Sequence, residues 1–324
     1  IPRLYVLHIM LLPAILIAML ALHMILLIVN KHTQFAGPGR TNDNVVGSPI
    51  LPVFAAKAGG FFFLVFGVVM LIASMVTINP IWSYGPYDPS PVSAGTQPDW
   101  YIGFADGMLR LIPSGWEFVI GGYTWSLNML VPIVVLVLFL VVVAFYPFFE
   151  AWVTGDKREH NIADRPRNAP TRTAIGAAGV SFYAILWAAA SSDLIATHFR
   201  VTIEDVIITL QVLFFAGPVI AFWITKKLAL ALQRKDREIV LHGFESSRIV
   251  RLPGGEYREI HTPLTDAERW SLVSYTEYEP VKLRPNAKGK ITLTSRMRAA
   301  ASRFYFEDRI APVTKPELES QSHH

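Results

Sequence analysis

Five stretches of the chain carry no Lys, Arg, Asp or Glu: residues 4–29, 58–87, 118–149, 174–192 and 206–225. Each is rich enough in apolar residues for a helix across a hydrocarbon core of about 30 Å, which takes about 20 residues. The expected fold is an all-α integral membrane protein with five transmembrane helices. Composition agrees, because 52% of the residues are hydrophobic, only 17% are charged and the mean hydropathy is +0.38. That is too little charge to cover a soluble domain, and too much apolar side chain for disorder.

Asn79-Pro80, Gly85-Pro86 and Asp88-Pro89 are turn pairs that end the second span near residues 77–79, and Gly121-Gly122 places the start of the third near Trp125. The expected layout is a span over 1–31, a loop 32–57, a span 58–79, a loop 80–124, a span 125–149, a loop 150–172, spans 173–193 and 203–226, and an extension 227–324. Basic residues gather in the loop 32–57, the loop 150–172 and the start of the extension. The alternate loops carry only Arg110 and Arg200, and Asp88, Asp99, Asp106 and Glu117 make the longer one acidic. The positive-inside rule makes the basic segments cytoplasmic, so this multi-pass chain of the plasma membrane starts outside and ends inside. It opens directly on a span, without a signal-peptide layout, and is expected to be the carboxyl-terminal portion of a longer protein.

Residues 1–225 hold eleven Lys and Arg against twelve Asp and Glu, whereas 226–324 hold eighteen against thirteen. The extension has a soluble composition, with Pro253-Gly254-Gly255 as a turn, a short strand from Glu245 to Val250 and a basic segment 282–303. Basic balance beside inward-facing helices suits the anionic headgroups of membrane lipid. No phosphate-cradling glycine loop and no nucleic-acid motif is present, and the absence of cysteine leaves His, carboxylate and Met as metal ligands.

Ionisable residues inside a span are costly and mark functional paths. His8 and His23 lie 15 residues apart in the first span, about 22 Å along a helix axis, and fifteen steps of about 100° make four turns plus about 60°. They sit near opposite membrane faces but on broadly one side of the helix, where a single partner surface can receive both. Imidazole is a good iron ligand, and without cysteine a histidine-ligated haem is the natural redox metal. In the acidic loop, Pro98-Asp99-Trp100-Tyr101 places an acid beside two aromatics, ahead of an amphipathic stretch from Phe104 to Ile112 that ends at Pro113. A carboxylate in such surroundings can take a proton, and the rings can pack on a flat substrate.

Both motifs resemble the carboxyl-terminal portion of cytochrome b, the membrane core of quinol:cytochrome c reductases. Arg3-Leu4-Tyr5-Val6-Leu7-His8 through His23 matches the family's fourth helix, which carries two haem ligands 14 or 15 residues apart, and Pro98-Asp99-Trp100-Tyr101 falls where the family has Pro-Glu-Trp-Tyr. The five spans then correspond to family helices four to eight. Lys31-His32-Thr33-Gln34-Phe35, Gly37-Pro38-Gly39-Arg40 and the basic tail resemble the actinobacterial branch, whose quinone is menaquinone. The resemblance implies two b-type haems as cofactors, the low-potential one on His8 and the high-potential one on His23, with second ligands outside this chain. It implies that Asp99 accepts the proton of a menaquinol or other quinol, in a pocket shaped by Pro98, Trp100 and Tyr101. It also implies a Rieske iron–sulfur partner, a c-type cytochrome partner, a homodimeric complex and an association with a terminal oxidase.

Two departures qualify the match. Aspartate stands in place of glutamate at 99, one methylene shorter, and the acid usual at the inner quinone site is absent, where Lys57 leads to Ala58. His32, with Lys31 or Asp43, is the substitute proton donor there. The competing reading is a haem-free transporter or scaffold whose intramembrane histidines pair with polar neighbours. A plastoquinol-oxidising relative is disfavoured, because the histidine helix and the Pro-Asp-Trp-Tyr loop share one chain.

Overall fold

The computed structural model describes residues 2–76, 86, 99, 101–113, 115–272, 279–285, 289–306, 310 and 313. The turn pairs Asn79-Pro80 and Asp88-Pro89, and the loop residues Pro98 and Trp100, lie outside the described residues. In chain order the elements are α1 (Pro2–Asn30), a wide turn Ile50–Phe54 leading into α2 (Ala55–Met75), α3 (Gly103–Leu111), β1 (Glu117–Ile120), β2 (Tyr123–Ser126), α4 (Leu127–Thr154), α5 (Pro170–Ala190), α6 (Ser192–Phe199), α7 (Ile203–His242), β3 (Phe244–Arg251), β4 (Tyr257–Thr262), α8 (Asp266–Leu272) and α9 (Leu293–Phe306).

Helices α1, α2, α4, α5 and α7 are long and apolar enough to cross a membrane. Inside hydrocarbon every backbone N–H and C=O must be satisfied within the chain, and a helix does this by itself. The side chains agree: Ile28, Phe63, Met75, Phe215 and Val219 are all largely exposed, an arrangement that an apolar solvent stabilises and water does not.

The packed core lies where the short amphipathic helix α3 crosses α5 and α7. Met108 and Leu111 meet Leu186, Ala189, Val206 and Leu210. Two glycines four residues apart make the approach possible. A Cβ on Gly107 would stand 1.7 Å from the Leu186 carbonyl oxygen, and one on Gly103 would stand 2.9 Å from the Trp187 ring. The contact is pinned by charge as well, since Arg110 bonds Asp106 on its own helix at 2.8 Å and Asp193 of α6 at 3.0 Å. Gln211 Nε2 donates to the Leu111 carbonyl at 2.8 Å, tying the end of α3 to α7.

At the opposite end the two basic loops are stitched together. Buried Gln34 donates its N–H to the Asn161 carbonyl at 2.7 Å and accepts from Ala163 N–H at 2.8 Å. Asn161 Nδ2 donates to the Asn42 carbonyl at 2.7 Å, and Ile162 N–H to Asn42 Oδ1 at 3.1 Å. The loops after α1 and after α4 therefore share one face. Beneath them Arg172 bonds Asp164 at 2.9 Å and Glu150 at 3.3 Å. Buried Asp236 is held by Arg165 and, at 2.9 Å, by Arg167.

Three local features differ from the sequence expectation. The charge-free run beginning at residue 118 opens with a hairpin, in which Ile120 pairs Tyr123 across Gly121 and Gly122 at φ +61 and +79; this two-residue loop needs positive φ and glycine supplies it. Helix α7 continues to His242 although charged residues begin at Lys226, because 226–242 holds no glycine or proline. The basic segment contains α9. The short strand expected at Glu245 to Val250 is present within β3, paired antiparallel to β4 around Pro253-Gly254-Gly255.

Candidate functional site

His8 and His23 both belong to α1, whose residues are all exposed over 2–30. A wide turn, Leu7–Leu11, interrupts the α geometry at His8, with Leu12 N–H donating to the Leu7 carbonyl five residues back. Such a turn takes in one extra residue, so the 15-residue interval rotates like about 14 α-helical steps and ends roughly 40° short of four turns instead of 60° beyond. The two positions stay within one side of the helix. Among the described residues no group of three or more His, Cys, Asp or Glu could hold a metal ion, so each histidine offers a single imidazole. One imidazole on an exposed apolar face fits an axial ligand to haem, whose plate buries against apolar helix surface and takes its second ligand elsewhere.

At the far end of the fold, the Tyr101 hydroxyl donates to Asp99 Oδ2 at 2.7 Å. Ile102 N–H closes a turn onto the Asp99 carbonyl at 3.0 Å, and α3 begins one residue later. The tyrosine hydroxyl is pushed above its ordinary range, first by this hydrogen bond and then by the charge of Asp99. It therefore remains a donor, occupying one carboxylate oxygen and leaving the other to accept. Both side chains are exposed. Three residues beyond Tyr101, a small apolar gap, about large enough for one water molecule, lies between α3, α4 and α5, lined by Phe104, Met108, Pro132, Phe139, Phe182 and Leu186. Its aromatic wall is continuous, with ring centroids 6.0 Å apart for Phe104 and Phe139 and 5.7 Å for Phe139 and Phe182. Sequence reading found the acid and missed this wall, because Phe139 and Phe182 sit in uniformly apolar spans where nothing separates a residue lining the gap from a lipid-facing one. Pro132 was the available signal, as a proline inside an apolar helix.

On the stitched face, the helix ends at Lys31, which has φ +63, and His32 Nδ1 lies 2.8 Å from the Thr33 carbonyl. Asp43 N–H bonds Thr41 Oγ1 at 3.3 Å. Among the described residues no hydrogen bond or ion pair joins Lys31, His32 and Asp43 to one another.

Five helices long and apolar enough to cross a membrane mark a multi-pass membrane protein, and its similarities to known proteins point to the cytochrome b type. Residues 1–86 match the family described as cytochrome b (N-terminal)/b6/petB. The chain is 49% identical over 322 residues to the cytochrome bc1 complex cytochrome b subunit of Streptomyces coelicolor, covering 98% of this chain and 59% of that protein. It is 42% identical over 294 residues to the subunit of the same name from Mycobacterium bovis, covering 89% and 53%. With that of Corynebacterium diphtheriae it shares 42% over 262 residues, covering 81% and 48%. The chain is thus similar to cytochrome b subunits along most of its length, and it spans between about half and three-fifths of the length of these relatives.

Proposed function

We propose that the chain is the haem-bearing membrane subunit of a bc1-type complex, a quinol:cytochrome c oxidoreductase. The observation that carries this is the combination, in one chain, of two histidines on one side of α1 with an acid, Asp99, that accepts a hydrogen bond from Tyr101 just ahead of α3. His8 and His23 hold two b-type haems, low-potential and high-potential respectively, with their second ligands supplied from outside this sequence. Haem bound at each position would supply a one-electron carrier.

Asp99 is the proton acceptor of the outer site. A quinol hydroxyl reaching its second oxygen gives up one proton there as the substrate is oxidised and the second hydroxyl releases its proton to water, while the Tyr101 hydrogen bond holds the carboxylate in place. The neighbouring Pro98 and Trp100 are assigned to the same quinol site. One electron leaves to a Rieske iron–sulfur protein, and the other passes to an inner quinone site with His32, Lys31 or Asp43 as its proton donors. The substrate is a menaquinol. The complex is a homodimer with a c-type cytochrome, associates with a terminal oxidase, and places the basic loops in the cytoplasm, so that turnover adds to the proton gradient.

A reduced-minus-oxidised optical spectrum of the purified native complex, with a redox titration of the b-type band, tests the reading. Two b-haem components titrating apart are expected. No b-haem signal in an intact complex would overturn it in favour of a histidine-bearing transporter or scaffold.

A further inference from the structure

Helix α9 presents two faces to two surroundings. One is buried: Ala299, Ser302, Tyr305 and Phe306 turn into the ends of α4 and α5. Tyr305 shares a hydrogen bond with Tyr146 at 2.5 Å, and Thr171 Oγ1 donates to the Phe304 carbonyl at 3.3 Å. The other face is uncovered. Leu293 is 73% exposed, Met297 60% and Phe304 49%, and with Ala300 they follow a helical i, i+4, i+7, i+11 pattern that puts them in one stripe. Arg296 and Arg303 flank it.

The neighbours of that stripe fix what covers it. Phe304 stacks on Phe222 with centroids 5.9 Å apart and planes at 9°, and Phe222 lies in the charge-free part of α7, between exposed Val219 and Trp223. The stripe therefore continues the lipid-facing surface of a membrane span. Lys226 Nζ lies 5.0 Å from the Phe304 ring centre, and Lys227 Nζ lies 6.0 Å from that of Trp223. Arg298 Nε donates to the Trp152 carbonyl at 2.6 Å, at the end of α4. Tryptophan beside lysine or arginine at the end of an apolar run marks the boundary between acyl chains and headgroups, and α9 lies at that level. The carboxylates beneath the same helix, Glu150 and Asp164, are engaged by Arg172.

We propose that α9 is an interfacial helix: Leu293, Met297 and Phe304 sink into the leaflet on the side of the basic loops, and Arg296, Arg303 and Lys227 hold anionic lipid headgroups. The helix seals the base of α4, α5 and α7 on one side and reads leaflet charge on the other. This rests on the five spans and is independent of haem chemistry.

The chain has no cysteine, so Met297→Cys and, separately, Leu293→Cys each give it a unique thiol for a nitroxide. Gly254→Cys, in the open turn of the β3–β4 hairpin, serves as the water-exposed control. Each is placed in the whole complex, reconstituted in phosphatidylcholine bilayers with and without phosphatidylglycerol, and the unsubstituted complex sets the labelling background. At 293 and 297, access to a water-soluble nickel chelate should be severalfold lower than at 254, with access to oxygen high. Omitting phosphatidylglycerol, or reversing charge with Arg296→Glu and Arg303→Glu together, should raise chelate access at 297 severalfold. Chelate access equal to that at 254 would show a face in water, and low access to both reagents would show a protein cover; either overturns the proposal. Indifference to phosphatidylglycerol and to charge reversal overturns the headgroup assignment.

Discussion

Gly107 of α3 rests directly on the Leu186 carbonyl of α5, so closely that a Cβ would come within 1.7 Å of the oxygen. The obstacle is backbone, which cannot swing aside like a side chain. Gly107→Ala should push α3 off α5, destabilise the protein by about 1–3 kcal/mol and widen the aromatic gap. Denaturation of the detergent-solubilised complex and the KM for quinol should both register it. An unchanged pair of values would mean that α3 docks differently.

Removing the acid should separate chemistry from assembly. Asp99→Ala is expected to lower quinol oxidation by about a hundredfold with haem content intact, since Asp99 makes no iron contact in the proposed site. Tyr101→Phe should cost less, because it frees a carboxylate oxygen without removing the acceptor. Wild-type turnover in a normally assembled Asp99→Ala complex would sink the role.

Each histidine should account for one chromophore. His8→Ala and His23→Ala are each expected to remove a different b-type component from the optical titration, because each offers its iron one imidazole. Spectra identical to the parent in both variants would show that neither is a ligand.

The loop after α4 should weaken in acid. Asp156 is held at about 2, below its ordinary 3.8, chiefly by the Arg158 side chain, which it meets at 2.8 Å. A depressed carboxylate contributes stability above its unfolded value and loses it as pH falls through the folded one. Hydrogen exchange of residues 155–163 should therefore accelerate between about pH 4 and pH 2 in the wild type. In Asp156→Asn it should already be faster at pH 7, with no further step in that window.

How much of this was legible in the residues depended on scale. The spans were, since hydropathy over 20 residues is a coarse and robust signal, and so was α3, bounded by Gly103 and Pro113. Gly121-Gly122 marked a break before the third span, near Trp125, but the paired four-residue strands on either side of it are too short to show a periodicity. Histidines on one side of α1 followed from spacing, whereas the wide turn that resets their angle has no signature in Leu7–Leu11. The pairing of Arg165 and Arg167 with Asp236, about 70 residues away in sequence, is a property of the folded loops and cannot be read from charge counts.

The stitch between Gln34 and Asn161 sets a height as well as a contact. It joins the segment just after α1 to the loop after α4. Counted back from Asn30, His23 stands seven residues up the helix, about 10 Å above the end that the stitch holds. A surface loop thereby fixes the depth at which a histidine sits in the membrane.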